Sequence, residues 1–316
     1  MGVDLGGSHV SAAIVDIATG NISMRRRMDL PDRSLEFVVE AIAAMTSDIQ
    51  TAAGTQIRLI GVGAPGNIDT ASGIVRSSPN FGWRDAPLSE ALRSRVGVDT
   101  IVMNDARCAA FGEYLYGPAR ATRSFVLLTL GTGIGGGIVL DGRPLMGNAM
   151  GAGEIGHHTI RAEGGFPCSC GRLGCFEAHA SATGLLRHAR VLEPYFPDSA
   201  LHRGGATPLS GRAIQQAAAA GDPHAALAWS NYVADLAVGI ANVISFLDPE
   251  AIALGGGVAQ AGNFLLDDLR ARVGARTVTV RPGATRIEAA SLLDDAGLVG
   301  AAAFAAQVRG AVELQQ

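Results

Sequence analysis

Three times in this chain of 316 residues, an apolar strand-like run leads directly into a cluster of glycines. The clusters are Gly6-Gly7 after Leu5, residues 131–137, and residues 255–257. Turns of this kind expose backbone N–H groups that can bind phosphate oxygens. All 25 basic residues are arginine, so a P-loop, which needs a lysine on the phosphates, is excluded. We therefore expect a phosphate-binding protein that uses several glycine turns.

Composition and charge exclude other classes of protein. A hydrophobic fraction of 48% with 17% charged residues is typical of a folded chain. The net charge of −4 gives no broad basic face, so we expect no nucleic-acid partner. The apolar stretch 125–140 is interrupted by glycines and is too short to span a membrane. With no export signal at the N-terminus, we expect a cytoplasmic protein without a membrane contact.

Hydrophobic periodicity and turn residues predict a mixed α/β order of elements. Residues 3–16 are predicted to form strand, glycine turn and strand. A helix opened by Asn104 and Asp105 is expected to end at Gly117-Pro118. The other predicted strands are 59–64, 100–103 and 252–254, and the other predicted helices are 35–53, 223–247 and 296–308.

The segment from Phe125 repeats the start of the chain. Leu5-Gly6-Gly7 corresponds to residues 130–132, and an aspartate follows at the same spacing in both segments, Asp16 and Asp141. A shared unit at the start of two halves predicts two similar lobes. The alternative, that any glycine-rich β-hairpin shows this pattern, stays open on the sequence alone.

The second glycine cluster imitates a dinucleotide-binding fingerprint. Gly131, Gly133 and Gly136 match G-x-G-x-x-G, and Glu154 follows at a suitable distance. The fingerprint requires a helix directly after the glycines. Residues 137–142 instead indicate a strand and a turn, so we do not predict a nicotinamide cofactor.

A compact group of cysteines predicts a metal site. His157, Cys168, Cys170 and Cys175 form H-x10-C-x-C-x4-C, a donor set that suits tetrahedral zinc, and four protein ligands make the site structural. Buried free thiols are the alternative, and the neighbouring His158 competes with His157 for the ligand role. The fourth cysteine, Cys108, is predicted to be a small core residue.

Carboxylates stand at three places that suit a polar ligand. Asp105 follows a strand and begins a helix beside Asn104, while Glu154 and Glu177 flank the cysteine motif. A zinc loop would hold Glu154, His157 and Glu177 near one another. Carboxylates and an imidazole accept hydrogen bonds from hydroxyls, so the group predicts a polyol or sugar. A solvated surface charge is the alternative for each residue alone.

Together these residues resemble the ROK family, a group of bacterial sugar kinases and sugar-responsive repressors. The similarity covers nearly the whole chain, and the cysteine motif with its preceding G-E-x-G-H is the most specific part. The motifs are Gly2-Val3-Asp4-Leu5-Gly6-Gly7-Ser8, Asn104-Asp105, Leu130-Gly131-Thr132-Gly133-Ile134-Gly135-Gly136-Gly137, Gly153-Glu154-Ile155-Gly156-His157, Cys168-Ser169-Cys170-Gly171-Arg172-Leu173-Gly174-Cys175-Phe176-Glu177 and Gly255-Gly256-Gly257-Val258.

The resemblance implies an α/β protein with the actin-like ATPase (ribonuclease H-like) fold, in which two lobes flank a central cleft. We expect a small N-terminal lobe, 1–116 plus 296–316, and a large lobe, 117–295, that carries the zinc loop 157–177. The resemblance also implies ATP and Mg²⁺, in addition to the structural Zn²⁺ predicted from the cysteine motif. A homodimer or homotetramer is expected.

The family pattern assigns roles to individual positions. Asp105 is implied as the general base on the sugar hydroxyl, and Asp4 is implied to lie near the magnesium. The implied sugar ligands are Asn80, Asn104, Glu154, His157 and Glu177. The implied nucleotide-binding residues are Asp4, Gly6, Gly7, Ser8, Gly131, Thr132, Gly133, Gly135, Gly256 and Gly257.

Several positions depart from the family pattern. Ser8 and His9 stand where threonine and lysine are usual, and Arg107 and Cys108 replace small or amide residues after Asp105. His158 is also unusual. These residues bear on the phosphate contacts and on the back wall of the sugar pocket.

The resemblance implies an ATP-dependent hexose kinase, with glucose as the first choice of substrate. An N-acetylated or amino hexose, fructose and a cyclitol remain alternatives, because all present hydroxyls to the same carboxylates. A sugar-sensing repressor is disfavoured, since only three residues precede Asp4 and a helix-turn-helix would not fit there. A sugar-binding domain without turnover is disfavoured by the presence of Asp105.

Overall fold

The computed structural model describes residues 1–203, 209–278, 280–281 and 283–310. The strands in these residues are β1 (Gly2–Leu5), β2 (His9–Val15), β3 (Ile22–Asp29), β4 (Leu59–Ala64), β5 (Asn67–Asp69), β6 (Ile74–Ser78), β7 (Trp83–Ala86), β8 (Asp99–Asn104), β9 (Ser124–Leu130), β10 (Ile134–Leu140), β11 (Arg143–Pro144), β12 (Ala251–Gly255) and β13 (Arg286–Ala289). The helices are α1 (Leu35–Ala53), α2 (Leu88–Val96), α3 (Asp105–Tyr116), α4 (Phe176–Ala180), α5 (Ala182–Leu192), α6 (Ala200–Arg203), α7 (Gly211–Ala219), α8 (Pro223–Leu247), α9 (Asn263–Gly274) and α10 (Ala296–Val308).

Two five-stranded sheets have the same strand order. The first is ordered β3-β2-β1-β4-β8 and the second β11-β10-β9-β12-β13. In the first, β2 pairs antiparallel with β3, and β4 pairs parallel with β8. In the second, β10 pairs antiparallel with β11, and β12 pairs parallel with β13. The repeat seen in the sequence therefore corresponds to a repeated strand order in the two sheets, in which β9 and β10 occupy the places of β1 and β2.

Capping residues mark both ends of α1 and the start of α8. Ser34 accepts a hydrogen bond from Phe37 N at the start of α1, and Gly54 ends that helix with φ of 62°. Asp222 caps α8, which has Pro223 in its first turn. The predicted bounds of α1, α8 and α10 agree with the structure. The antiparallel sheet β5-β6-β7 and helix α2 were not predicted.

Helix α8 is 25 residues long and is apolar enough to span a membrane by length and composition alone. More than half of its apolar window is buried inside the protein, as is usual for a core helix. Gly239 on α8 lies against the ring of Phe176. A Cβ at this position would come within 2.2 Å of the ring, so only glycine fits here.

The chain forms two compact units. The first comprises Met1–Leu127, Gly137–Gly153 and Ser291–Gln316, and the second comprises Leu128–Gly136 and Glu154–Ala290. The predicted small lobe falls within the first unit, whereas the predicted large lobe is divided between the two. The predicted lobe bounds stay a prediction.

Helices α3 and α10 pack closely in the first unit. A Cβ at Gly300 would come within 1.7 Å of the carbonyl oxygen of Cys108, and a Cβ at Gly112 within 2.4 Å of the carbonyl oxygen of Ala296. The glycines let the two helix backbones approach. This contact fixes the start of α3, where Asp105 stands.

Candidate active site

The first glycine turn joins β1 to β2 and lies beside a buried aspartate. Gly6 N donates to the carbonyl oxygen of His9 at 2.9 Å, and the space around Gly7 is open. Burial raises the pKa of Asp4 to about 6, and the negative charges of Asp105 and Asp294 add to this rise. A Cβ on Gly297 would come within 2.9 Å of the Asp4 carboxylate, so α10 also begins beside this group.

Asn104 and Asp105 have different tasks at the start of α3. Asn104 Oδ1 accepts from Arg107 N at 3.1 Å and caps the helix, while its Nδ2 donates to the carbonyl oxygen of Gly66 and to Asp105 Oδ1. Asp105 Oδ1 also accepts from Ala106 N at 2.8 Å. Asn104 is 8% exposed. The Asp105 carboxylate is therefore held in one orientation by Asn104 Nδ2 and Ala106 N.

The family-variant residue Arg107 ties α3 to the loop before Glu154. Its side chain is buried and donates to the carbonyl oxygens of Ala152 and Met150, each at 2.7 Å. Cys108 is fully buried, as predicted, and burial raises the pKa of its thiol well above the usual value.

Asn80 lies in the first unit, on the exposed loop between β6 and β7. Its carbonyl oxygen accepts from Arg33 Nη1 at 3.1 Å. This holds the loop backbone and leaves the role of the Asn80 side chain as a prediction.

The second glycine turn is fastened by Glu177. Glu177 Oε2 accepts from Ile134 N at 3.1 Å, and a Cβ at Gly133 would come within 2.1 Å of the same oxygen. Gly131 N donates to the carbonyl oxygen of Gly133, and the carbonyl oxygen of Thr132 accepts from Thr183. Strand β10, which includes Gly135, follows directly. The absence of a helix here agrees with rejection of the dinucleotide fingerprint.

The third glycine turn lies against the second. Gly256 follows β12 with φ of 85°, and a Cβ there would come within 2.6 Å of the carbonyl oxygen of Leu130. Around Gly257 there is open space. A side chain at Gly256 would therefore force the two turns apart.

The four predicted zinc ligands lie together. Their ligand atoms are all within 4.8 Å of one another, with 3.6 Å between His157 Nδ1 and Cys168 Sγ and 3.6 Å between Cys170 Sγ and Cys175 Sγ. Tetrahedral zinc with Zn–S bonds of about 2.3 Å would place neighbouring sulfurs about 3.8 Å apart. The donor set and its spacing therefore fit zinc.

Electrostatics differ among the three thiols. Burial raises the pKa of Cys168 to about 12 and also raises that of Cys175, whereas the backbone N–H of Arg172 lowers the pKa of Cys170 to about 6. A bound metal ion favours the thiolate form of all three.

The histidine next to His157 is not part of this cluster. His158 Nδ1 donates to the carbonyl oxygen of Ile155 at 2.6 Å, and its ring packs against Phe176. Burial lowers the pKa of His158. His157 is therefore the ligand candidate, and His158 supports the loop.

Glu154 is exposed and precedes the short turn Ile155–His157. Its carbonyl oxygen accepts from His157 N at 3.1 Å. Gly156 backs onto β10, since a Cβ there would come within 2.3 Å of the carbonyl oxygen of Ile134. Gly156 is thus required by packing between the turn Ile155–His157 and the second glycine turn.

Glu177 also contacts the residues before it, 157–175, which we call the cysteine loop. Its Oε1 accepts from Ser169 Oγ at 2.9 Å and from Cys168 Sγ at 3.4 Å. One carboxylate therefore joins the second glycine turn to the loop that carries the predicted zinc ligands. The sequence analysis predicted that Glu177 lies near His157. It did not predict the hydrogen bonds of Glu177 with Ser169 Oγ and Ile134 N.

The model of the ROK family matches residues 1–308. The chain belongs to the ROK family. A glucokinase of Streptomyces coelicolor is 36% identical over 312 residues, which cover 96% of each protein. A putative xylose repressor of a Caldicellulosiruptor species is 30% identical over 309 residues, which cover 96% of this chain and 77% of the repressor.

A solved ROK structure has the same fold. It is a ROK family glucokinase from Streptomyces griseus in complex with glucose and AMPPNP, with 35% identity and a TM-score of 0.80, and the match covers 97% of this chain and 98% of that one. The predicted α/β, actin-like ATPase fold is confirmed by this likeness.

Proposed function

We propose that this ROK protein is an ATP-dependent hexose kinase that transfers the γ-phosphoryl group of ATP to a hydroxyl of glucose. The observation that carries the proposal is the fixed Asn104-Asp105 pair at the start of α3, in a chain that resembles glucokinases over nearly its whole length. A carboxylate held by its neighbours is suited to accept a proton from a bound hydroxyl.

In this mechanism the glucose hydroxyl oxygen attacks the γ-phosphorus. Asp105 takes the hydroxyl proton, the new P–O bond forms, and the bond from the γ-phosphorus to the oxygen of ADP breaks. Phosphoryl transfer asks mainly for alignment and charge neutralisation, so no lysine is needed. The products are glucose 6-phosphate and ADP.

We assign sugar binding to Asn80, Asn104, Glu154, His157 and Glu177. Amide, carboxylate and imidazole groups can all hydrogen-bond hydroxyls. The contacts of Glu177 with Ile134 N and Ser169 Oγ support the assignment, because they hold its carboxylate in one orientation.

Nucleotide binding is assigned to the glycine turns, with ATP taken up as its Mg²⁺ complex. Asp4 suits the cation, because a carboxylate with a raised pKa gains most from a nearby positive charge. Open space at Gly7 and Gly257 leaves backbone accessible to phosphate and adenosine. The assigned residues are Asp4, Gly6, Gly7, Ser8, Gly131, Thr132, Gly133, Gly135, Gly256 and Gly257.

We assign a structural zinc to His157, Cys168, Cys170 and Cys175. Four protein ligands leave no open position, so the ion would stabilise the loop without acting on the substrate. His157 would hold the ion through Nδ1, the ring nitrogen that faces Cys168 Sγ, and is expected to serve the sugar site as well. A cytoplasmic location, assembly as a homodimer or homotetramer, and the lobes 1–116 with 296–316 and 117–295 belong to the same proposal.

A panel of acceptors in a coupled ADP-release assay tests the substrate. We expect glucose to give the highest kcat/KM among glucose, an N-acetylated hexose, an amino hexose, fructose and a cyclitol. Asp105→Asn serves as the matched control for contaminating kinases and should be nearly inactive with every acceptor. A higher kcat/KM for another acceptor would replace glucose, and sugar binding without any turnover would identify a sugar-sensing protein instead.

A further inference from the structure

A buried carboxylate on α8 lies behind the cysteine loop. Asp235 has a side chain only 3% exposed. Its Oδ1 accepts from Arg161 Nη2 at 2.6 Å, and its Oδ2 lies 3.1 Å from His179 Nδ1 and 3.3 Å from His188 Nε2. We call these four residues the Asp235 cluster.

Two histidines and an aspartate at this spacing also resemble a metal site, since their ligand atoms lie within 4.8 Å of one another. The tautomer of His179 contradicts that interpretation. Its Nε2 accepts from Phe166 N at 3.0 Å, so the ring proton of the neutral imidazole is on Nδ1, which then cannot bind a metal ion. The guanidinium of Arg161 on the same carboxylate also opposes a second cation.

The cluster is therefore held by charge and hydrogen bonding. The contacts of the two histidines are short enough for hydrogen bonds, but their N–H directions are not well aligned with the oxygen. Burial alone would raise the pKa of Asp235, but the donors His179, His188 and Arg161 outweigh it and hold the pKa well below its usual range. Asp235 is thus an ionised carboxylate inside the second unit.

Arg161 is part of the cysteine loop, and His179 and His188 contact the loop through the ring of Phe166. Gly174, the residue directly before Cys175, packs against the carbonyl oxygen of Arg161. A Cβ on Gly174 would come within 1.7 Å of that oxygen. Phe166, two residues before Cys168, is bound to His179 through its N–H and stacks on that ring at 4.5 Å. His179 itself stands on α4, as does Glu177.

We propose that Asp235 is a positioning residue that holds the cysteine loop in its metal-binding conformation. Loop segments fixed in advance lose less conformational entropy when the ion binds, so zinc is bound more tightly and released more slowly. The inference rests on the proposed zinc site and extends it to residues that do not touch the ion.

Zinc release into a chromogenic chelator tests the proposal on the intact protein. Changes to residues that orient metal ligands typically cost about 10- to 100-fold in metal affinity, so Asp235→Asn should speed zinc release at least about tenfold. Arg161→Gln provides a second variant, because the Arg161 side chain is half exposed and its loss leaves the core packed. We expect the same direction of change.

Asp268→Asn is the matched control, since it breaks another Asp–Arg pair of the same unit, with Arg272 at 2.7 Å. Its zinc release should equal that of the wild type. Wild-type release rates in both Asp235→Asn and Arg161→Gln would overturn the proposal. So would a wild-type chain without zinc, or one with two zinc ions of which Asp235→Asn loses one.

Kinetics with glucose separate this inference from the proposed function. If Glu177 binds sugar as assigned, Asp235→Asn should raise the KM for glucose several-fold and leave kcat within about threefold, the pattern of lost ground-state binding. Faster zinc release with an unchanged KM would uphold the role of Asp235 and contradict the sugar role of Glu177. Wild-type protein that binds zinc but has no turnover would contradict only the kinase proposal.

Discussion

At the start of α3, helix capping and the chemistry assigned to this site belong to two adjacent residues. Asn104 caps the helix through Oδ1, and Asp105 is oriented by Asn104 Nδ2 and by Ala106 N. A purely capping role for Asp105 is therefore unnecessary, because the cap is already provided by its neighbour. This separation makes a substitution at Asp105 informative.

Asp105→Asn should lower kcat by at least about 100-fold, because an amide cannot accept the proton, and general-base catalysis is worth about 10²–10⁴ in rate. Glucose Kd should change by less than about tenfold, since the amide still hydrogen-bonds hydroxyls. Rapid kinetics and calorimetric titration on one preparation measure both values.

Ser34→Ala is the matched control, because Ser34 caps α1 by a hydrogen bond to Phe37 N. Loss of a cap costs about 1 kcal/mol of stability and should leave kcat unchanged. An Asp105→Asn enzyme that behaved like Ser34→Ala would remove the catalytic assignment.

Asp4 should make the protein less stable as the pH rises. Its folded pKa is about 6, against 3.8 for an ordinary aspartate, so its stabilising contribution is complete below about pH 4 and is lost as the pH passes through about 6. A shift of about two pKa units corresponds to up to about 3 kcal/mol. Asp4→Asn should therefore be the more stable protein at pH 8, with a difference that shrinks towards pH 4.

Urea unfolding without Mg²⁺ and nucleotide measures this difference. Asp267→Asn is the control, because the Asp267 side chain is 73% exposed, and its stability should follow that of the wild type at each pH. If the difference in unfolding free energy between Asp4→Asn and the wild type did not vary with pH, the ionised form of Asp4 would not be destabilised in the folded protein.

At the scale of elements, glycines determine how the cysteine loop closes. Gly174 has φ of 74° and meets the carbonyl oxygen of Arg161, and Gly156 meets the carbonyl oxygen of Ile134. Neither position has room for a side chain. The cysteines of the motif can thus lie close together because glycine lets the backbone between them turn tightly.

We expect one zinc ion per chain in the purified protein, and Cys170→Ala should lose it. A site with three ligands binds zinc more weakly than a closed site with four. Metal analysis by mass spectrometry measures the content, and the KM for glucose should rise with the loss. Cys108→Ala is the control, because Cys108 lies buried in the first unit, and it should keep its zinc. Full zinc content in Cys170→Ala would contradict the assigned ligand set.

At the scale of the whole molecule, the chain uses one strand order twice. Long-range contacts hold the segments of each unit together. In the first unit, the fully buried carboxylate of Glu113 on α3 accepts from the N–H groups of Ser291 and Leu292 at 3.1 and 2.6 Å. These residues are 178 and 179 positions later, and the bonds fix the chain where it returns before α10.

The predicted assembly is measurable on the whole chain. Light scattering after size exclusion should give two or four times the chain mass of 32.4 kDa. The expectation follows from the resemblance to the ROK family, and a mass equal to one chain across a range of protein concentrations would contradict it.

Local patterns in the sequence predicted the long helices and the strands that lead into the glycine turns, and they suggested the residues of the candidate site. Apolar periodicity followed by Gly54 predicted α1, and apolar runs before glycines predicted β1 and β12, because these signals act over a few residues. The cysteine spacing predicted a cluster that the structure contains. The short strands of β5–β7 were missed, since they are held by pairing and have little periodicity of their own.

Only the tertiary structure decided which distant residues meet. Nothing in the local sequence connects Asp235 with Arg161 and His179, or Glu177 with Ile134 N, because these contacts depend on how elements pack after the chain has folded. The same holds for Asp4, whose raised pKa arises from burial and from Asp105 and Asp294. Sequence patterns report preferences of the local backbone, whereas burial and charge proximity are properties of the packed chain.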